Sequence, residues 1–412
     1  MSAPPRAGAA LETCVARSFA ALDMAAWDSL AGGDLYASSR WLRAVEPIFA
    51  PYSAFVLVRD GGRRGRPVAG VAAYLVTDER AYLFLNPPRL VVSDPLHAAL
   101  AERPEAERRR ARELVAGLAP KLARRYPVAV CVSPFTPAGG VVGAAARPEV
   151  ARRLLDGFME VAASWAARST AFLSLREGSH AALTATLRSG GHVPSQLGAR
   201  CSLPIRWRSF DHYLASLWRK RRWKVRSELR AFEASGFRAR VVYGTRLREV
   251  TGDLAPLFAN LQRKYGHGGD VAAARETIEW VGEHLAPLAR VVLIEDGSRP
   301  VAFHLLYELH GTLYSYLAGQ VYEQRVQDAA AFFQAVYYQP IELAIRRRLA
   351  RIDFSSESYE AKLWRGCELS RTVGLFDFGA DLRGELAALL TLVDAGQRAR
   401  FERYARYRQL RH

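Results

Sequence analysis

A chain of 412 residues, half of them hydrophobic and 24% charged, is long enough for two or three domains and has an ordinary globular composition. No apolar run approaches the ~20 residues of a membrane span, and Glu12 sits where a secretory signal would carry its apolar core; the four scattered cysteines (Cys14, Cys131, Cys201, Cys367) make no CxxC, which argues against a zinc site or disulfide framework and for a reducing cytoplasm. Charge is the informative quantity: 58 Lys+Arg against 41 Asp+Glu give +17, which favours a polyanionic partner such as RNA, DNA, anionic lipid or a phosphorylated substrate, unless the arginines only reflect a GC-rich genome.

In chain order, SAFVLVRD, PVAGVAAYLV and AYLFLN read as short antiparallel strands between turn residues. A helical pattern runs from about Leu96 to Arg125, followed by a strand (PVAVCVS) and a helix (VARRLLDGFMEVAASWAAR). A strand (TAFLSL), a helix (SHAALTATLRSGG) and a strand (ARCSLPI) carry the chain to about residue 206. The second part opens with a basic helix over 209–236, capped by Ser209 or Asp211 and closed by Gly236. Then come a strand (FRARVVY), two helices (LAPLFANLQRKYG, ARETIEWVGEHL) and three strands (ARVVLIED, RPVAFHLLYEL, TLYSYLAG). A long helix, AAAFFQAVYYQPIELAIRRRL, is interrupted near Pro340. RIDFSS, SYEAKLWRG, TVGLFDF and a C-terminal helix complete the chain.

The order of elements resembles the GCN5-related N-acetyltransferase (GNAT) fold, written out in the second part and in a shorter form in the first. A repeat supports the duplication: GRPVAGVAAY (65–74) returns as SRPVAFHLLY (298–307), each after a turn rich in Gly and Asp. The expected fold class is α/β (α+β): two tandem GNAT-like lobes with mixed, mainly antiparallel sheets flanked by helices. The expected boundaries are an N-terminal extension over 1–34, a first lobe over 35–206, a second, catalytic lobe over 207–380 and a C-terminal helix over 381–412.

Four segments carry a closer resemblance: VSPFTPAGG (132–140), QRKYGHGG (262–269), AFFQAVYYQPIELAIRRRLARIDF (331–354) and EAKLWRG (360–366). Over roughly residues 35–380 the chain resembles the FemAB-like proteins of the FemABX superfamily. That resemblance implies two acetyltransferase-like lobes and, in many members, aminoacyl-tRNA as donor for amide bonds in cell-wall cross-bridges or small natural products. The chain departs from the pattern in lacking the long coiled-coil arm of cross-bridge enzymes, and in reading SSESYEAK where near relatives have GAQGEHK before the lysine.

The segment WRKRRWKVRSELR (218–230) places seven basic residues among thirteen, with Glu228 the only acid. On a helix Arg219, Arg222 and Arg226 line one side and Lys220 and Lys224 another, with Arg221 between them and Trp218 and Trp223 interleaved. Phosphate contact by these residues competes with a plain solvated helix. The run Arg346-Arg347-Arg348 with Arg351 ends a helix, where cations suit the helix dipole. Acetyl-CoA users of this fold present a glycine-rich turn after the central strand; here the junction reads AGQVYEQRVQDAAAFF, with Gly319 but no Gly-x-Gly.

Lys362 matches the lysine of the family's K…RG segment, and the resemblance implies a place beside the reacting ester, where a fixed positive charge would stabilise the developing oxyanion. His304 is a candidate general base, against the alternative of a satisfied core histidine. Tyr307, Tyr314 and Tyr316 are candidate pocket walls, and Tyr265 and His267 sit in a glycine loop open to ligand. Asp353, Glu357 and Tyr359 stand before Lys362 and could orient it or bind the acceptor amine. No metal spacing is persuasive and no cofactor is expected. The reading is an aminoacyl-tRNA-dependent transferase acting on a small-molecule amine, as in antibiotic or other natural-product biosynthesis. An acyl-CoA N-acyltransferase and a non-catalytic RNA-binding module are the alternatives.

Overall fold

The protein is seen in a computed structural model that describes residues 11–62, 64–93, 97–143 and 147–409. In chain order the first half comprises β1 (Leu11–Ala16), α1 (Met24–Ala31), α2 (Ser39–Phe49), β2 (Ser53–Asp60), β3 (Arg66–Val76), α3 (Glu105–Leu122), β4 (Val128–Cys131) and β5 (Val141–Gly143). There follow α4 (Pro148–Ser164), β6 (Ser169–Arg176), α5 (Ala181–Ser189) and β7 (Val193–Pro204). The second half has α6 (Phe210–Ser216), α7 (Arg219–Ser235), β8 (Arg238–Tyr243), α8 (Thr251–Lys264), α9 (Val271–His284), β9 (Ala289–Asp296), β10 (Arg299–Leu309) and β11 (Thr312–Gln320). It closes with α10 (Gln339–Arg346), β12 (Arg351–Asp353), α11 (Tyr359–Trp364), β13 (Glu368–Asp377) and α12 (Arg383–Gln409).

Two compact units result: residues up to Ala199 with Ser370–Arg403, and Arg200–Leu369 with the residues from Tyr404 on. In the first, β1, β2, β3 and β4 are antiparallel, β4 lies parallel to β6, and β13 pairs antiparallel with β6. Helix α4 packs on this sheet through Leu154, Phe158 and Val161, among a core that includes Val56, Val71 and Phe172. In the second, β8, β9, β10 and β11 are antiparallel, β11 lies parallel to β12, and the end of β7 pairs antiparallel with β12. Each unit therefore repeats one scheme: antiparallel strands, a parallel pair, and a closing antiparallel strand. The closing strand β13 comes from the far end of the chain. The expected cuts near 206 and 380 ran along the sequence; the compact units do not.

The repeat has a structural counterpart. In β3, Arg66 and Pro67 pair with Asp60 and Arg59, and pairing resumes at Ala69 with Val58, so Val68 is bulged. In β10, Arg299 and Pro300 pair with Asp296 and Glu295, and pairing resumes at Ala302 with Ile294, bulging Val301. Proline lacks a ladder donor and is tolerated beside a bulge, which gives the shared Arg-Pro-Val-Ala its physical reason. The copies then diverge: Gly70 leaves room for the buried Trp27 ring, where a Cβ would meet Cζ3 at 2.8 Å, while the equivalent Phe303 fills the second core.

Several expected elements change. AYLFLN is not a strand: Asn86 caps the short helix Pro87–Val91 through the Arg89 N–H, and Val128–Cys131 takes the place beside β3. The pattern from Leu96, which itself lies outside the described residues, becomes helical in earnest only at Glu105, after Pro104. The basic helix is two helices, because Leu217 and Trp218 are extended; Ser209 caps the first and Gly236, at φ 76°, closes the second. The kink near Pro340 is a π-helical turn, Gln334–Tyr338, and Pro340 sits harmlessly in the first turn of α10. Strands β1 and β5 were not expected. Residues from Leu11 onward, read as an extension, are paired with β2; residues 1–10 and 410–412 lie outside the described range.

Candidate active site and cationic helix

Lys362 stands on α11, whose entry is a loop of unusual backbone: Ser355, Glu357 and Ser358 are all left-handed, at φ 62°, 60° and 49°. None is glycine, and each such residue costs about 1–2 kcal/mol, the kind of strain that collects at functional sites. The loop is held by Asp353 Oδ1, which accepts the Ser355 N–H at 2.8 Å, and by main-chain bonds of Cys201 with Ser355 and Phe354. It turns back so that the Ser356 carbonyl accepts from Lys362 Nζ. The lysine is 6% exposed. Burial holds its pKa below the ordinary lysine value, opposed by the Cys201 and Cys367 thiols and the Asp353 and Glu357 carboxylates. Burial also pushes the Cys201 thiol up to about 12 and Cys367 well above its usual value, so neither is a thiolate nucleophile at neutral pH.

His304 is fully buried on β10, with Nε2 2.7 Å from Ser315 Oγ. Burial lowers its pKa to about 3; the Ala335 backbone on the π turn opposes this slightly, without a well-aligned bond to Nδ1, and the Lys362 charge adds to the lowering. A neutral imidazole of this kind orients neighbours more readily than it accepts a proton. Between its ordinary 6.5 and about 3 the folded chain binds fewer protons than the unfolded one, so stability falls as pH drops through that window. Urea denaturation should register about 2 kcal/mol of loss from this residue between pH 7 and pH 5. His304→Asn should flatten the acid limb by that amount; an unchanged limb would mean that the imidazole protonates in place.

Three residues beyond Lys362, Arg365 is buried in an ion network that the motif reading passed over. Its Nη2 donates to Glu228 Oε2 and Tyr338 Oη, both at 2.9 Å; the Tyr338 hydroxyl donates to the same carboxylate, and Nη1 donates to the Ala361 carbonyl. The guanidinium carbon lies 4.5 Å from the Phe333 ring centroid and 4.4 Å from that of Tyr337. Glu228, the one acid of residues 218–230, thus fastens α7 to the segment that carries Lys362. The only sequence signals were that single acid and the Arg-Gly after the lysine.

The other expected residues disperse. Side chains alternate along β10, and the Ser315 contact puts His304 on one face while Tyr307, opposite Tyr314 and 5.0 Å from the Tyr316 ring, takes the other. The tyrosines therefore do not join His304 in one pocket. Asp353 is committed to an ion pair with Arg200. Tyr359 is buried, its hydroxyl 3.5 Å from Glu357 Oε1. Tyr265 and His267 are exposed on the loop after α8.

On α7, Arg221, Val225 and Glu228 form the buried stripe, and Arg221 packs 5.9 Å from the Trp364 ring. This takes Arg221 out of the expected phosphate-binding set. Lys224 leans to Glu228 at 3.4 Å. Arg219, Arg222 and Arg226 share the opposite stripe with Trp223 and Arg230 and, with Lys220, line an open furrow of about 930 Å³.

Gly319 has a packing role. A Cβ there would lie 2.4 Å from the Leu257 carbonyl carbon, so α8 occupies the space over the strand end where a phosphate cradle would open. Among the described residues no His/Cys/Asp/Glu cluster could hold a metal ion, and no helix is long and apolar enough to cross a membrane.

A family model described as FemAB-like, peptidoglycan biosynthesis/recognition, matches residues 116–404. No curated protein matches the chain. Among solved structures, a crystal structure of FemX superposes with a TM-score of 0.56 at 12% identity, over 89% of this chain and 97% of that one. L-PGS from Bacillus licheniformis gives 0.43 at 12% identity over 65% and 83% of the two chains. A GCN5-related N-acetyltransferase from Sphaerobacter thermophilus gives 0.39 at 14% over 89% and 95%. The FemX likeness bears on the fold.

Proposed function

The chain belongs to the FemAB-like family, acyltransferase-type proteins of peptidoglycan biosynthesis and recognition, and on that premise we propose that it transfers an aminoacyl group from the ester of a charged tRNA to an acceptor amine. The observation that carries the reading is Lys362, a buried amine that donates to a main-chain carbonyl from behind a loop of left-handed residues. The acceptor nitrogen attacks the ester carbonyl, the C=O electron pair moves onto oxygen, and the Lys362 charge stabilises that oxyanion. Collapse breaks the ester C–O bond, the proton lost by the amine ends on the released tRNA hydroxyl, and an amide remains. Reaction at an activated ester needs neither a metal nor an acid–base triad.

The cationic stripe of α7 supports a polyanionic donor, and the packing around Gly319 disfavours acyl-CoA. An amine of a peptidoglycan precursor and one of a small natural product would undergo the same bond change. Charged tRNA as donor places the reaction in the cytoplasm. The test offers radiolabelled aminoacyl-tRNA, and separately acetyl-CoA, with both classes of amine. RNase-sensitive amide formation is expected; CoA release in its place, or tRNA binding without turnover, would overturn the reading. Alanine at Arg219, Arg222 and Arg226 together should raise KM for charged tRNA and lessen the salt slope of its binding by roughly 2–3.

A further inference from the structure

We infer that the outer face of α7 binds unpaired nucleotides, with Trp223 and Trp218 stacking on bases and the surrounding cations holding phosphates. The inference rests on the tRNA-donor reading, since the aminoacyl ester of a charged tRNA is carried on an unpaired 3′ end. Three features of the helix lead to it.

The first is exposure. Trp223 is 63% and Trp218 38% exposed, and both line one furrow, where singly scattered surface aromatics would call for no explanation. The second is charge. Elsewhere the arginines are commonly paired, as Arg103 with Glu107, Arg246 with Glu249 and Arg325 with Asp296. Among the described residues no carboxylate pairs with Arg219, Lys220, Arg226 or Arg230, and Arg222 reaches only the Ala215 carbonyl. The third is layout. Arg219, Arg222, Trp223, Arg226 and Arg230 recur at helical spacing along one stripe, opposite the buried Arg221, Val225 and Glu228, with Glu233 the single acid at the far end of the furrow. Arg219 and Arg230 stand about 16 Å apart along the axis, room for several phosphates of an extended strand.

Three ligand classes fit cations, and the rings choose among them. A duplex keeps its bases stacked on one another and offers them no face. An anionic membrane surface needs a continuous apolar side to sink into the acyl boundary, whereas these rings line the furrow among guanidiniums. A single strand presents both free base faces and phosphates, which is the combination found on stacking platforms.

The experiment measures anisotropy of a short labelled single-stranded RNA, the same RNA annealed to its complement, and sedimentation with phosphatidylglycerol vesicles, all with the full chain. Single strand should bind most tightly. Trp223→Ala should weaken it about 5- to 150-fold with no change in salt slope, and Trp223→Phe should recover most of the loss. Arg226→Ala should instead lower the slope by about 0.7. Equal or tighter binding of duplex or vesicles, or an indifferent Trp223→Ala, overturns the inference. RNase-sensitive transfer alongside an indifferent Trp223→Ala sinks only the stacking platform; stacking without any transfer sinks only the donor assignment.

Discussion

Lys362→Ala is expected to lower kcat and kcat/KM for amide formation together by about 10²–10³, with KM for the charged tRNA little changed. Loss of one oxyanion-stabilising donor has that size, and equal loss in both constants marks an interaction made only in the transition state. Because the side chain is buried, Lys362→Met, which keeps the aliphatic stem, separates lost charge from lost packing; both should be equally slow. The pH profile gives an independent readout. Burial lowers the pKa of Lys362, so if the ammonium is the working form, activity should fall as pH rises through a value below that of an ordinary lysine. A rate that climbs to a plateau over the same range would instead make the neutral amine the working species and remove the oxyanion role.

Arg365→Ala should destabilise the protein by about 3–5 kcal/mol, the loss expected when one partner of a buried ion pair is removed. Glu228 would be left 5% exposed without its guanidinium, and the Phe333 and Tyr337 rings would lose the cation that lies over them. Glu228→Ala should fall in the same range for the converse reason, and the double variant should be much less than additive, since each change removes the same pairing. Urea denaturation of the four proteins closes the cycle. A loss under 1 kcal/mol for Arg365→Ala would show that water replaces the pair, and that α7 is not fastened to the Lys362 segment through it.

Both residues lie in one quoted stretch, EAKLWRG, yet only the lysine stood out there. An arginine just past a short helix looks like any surface cation until its partners are known, and those partners, Glu228 and Tyr338, are far away in the chain. The same distance hid the surroundings of Lys362. Cys201 and Cys367 read as scattered cysteines and turn out to flank one ammonium. The left-handed loop carries no glycine to announce it. His304 and Tyr307 are close in sequence, yet strand alternation sends them to opposite faces of β10.

What the sequence determined by itself is what local periodicity and turn chemistry encode. Most of the order of elements, the doubled Arg-Pro-Val-Ala strand, a helix start at Ser209 or Asp211, the close at Gly236 and the cationic stripe of α7 all depend on residues within a turn or two of each other. Tertiary structure alone decided that β13 closes the sheet of the first unit and the end of β7 that of the second, that Arg221 turns inward, and that α8 fills the space at Gly319. A strand's period states which face is apolar and leaves its neighbour open. The neighbour is settled only when burial of that face, the ladder of hydrogen bonds and the pairing of buried charge are satisfied together, by residues brought from anywhere in the chain.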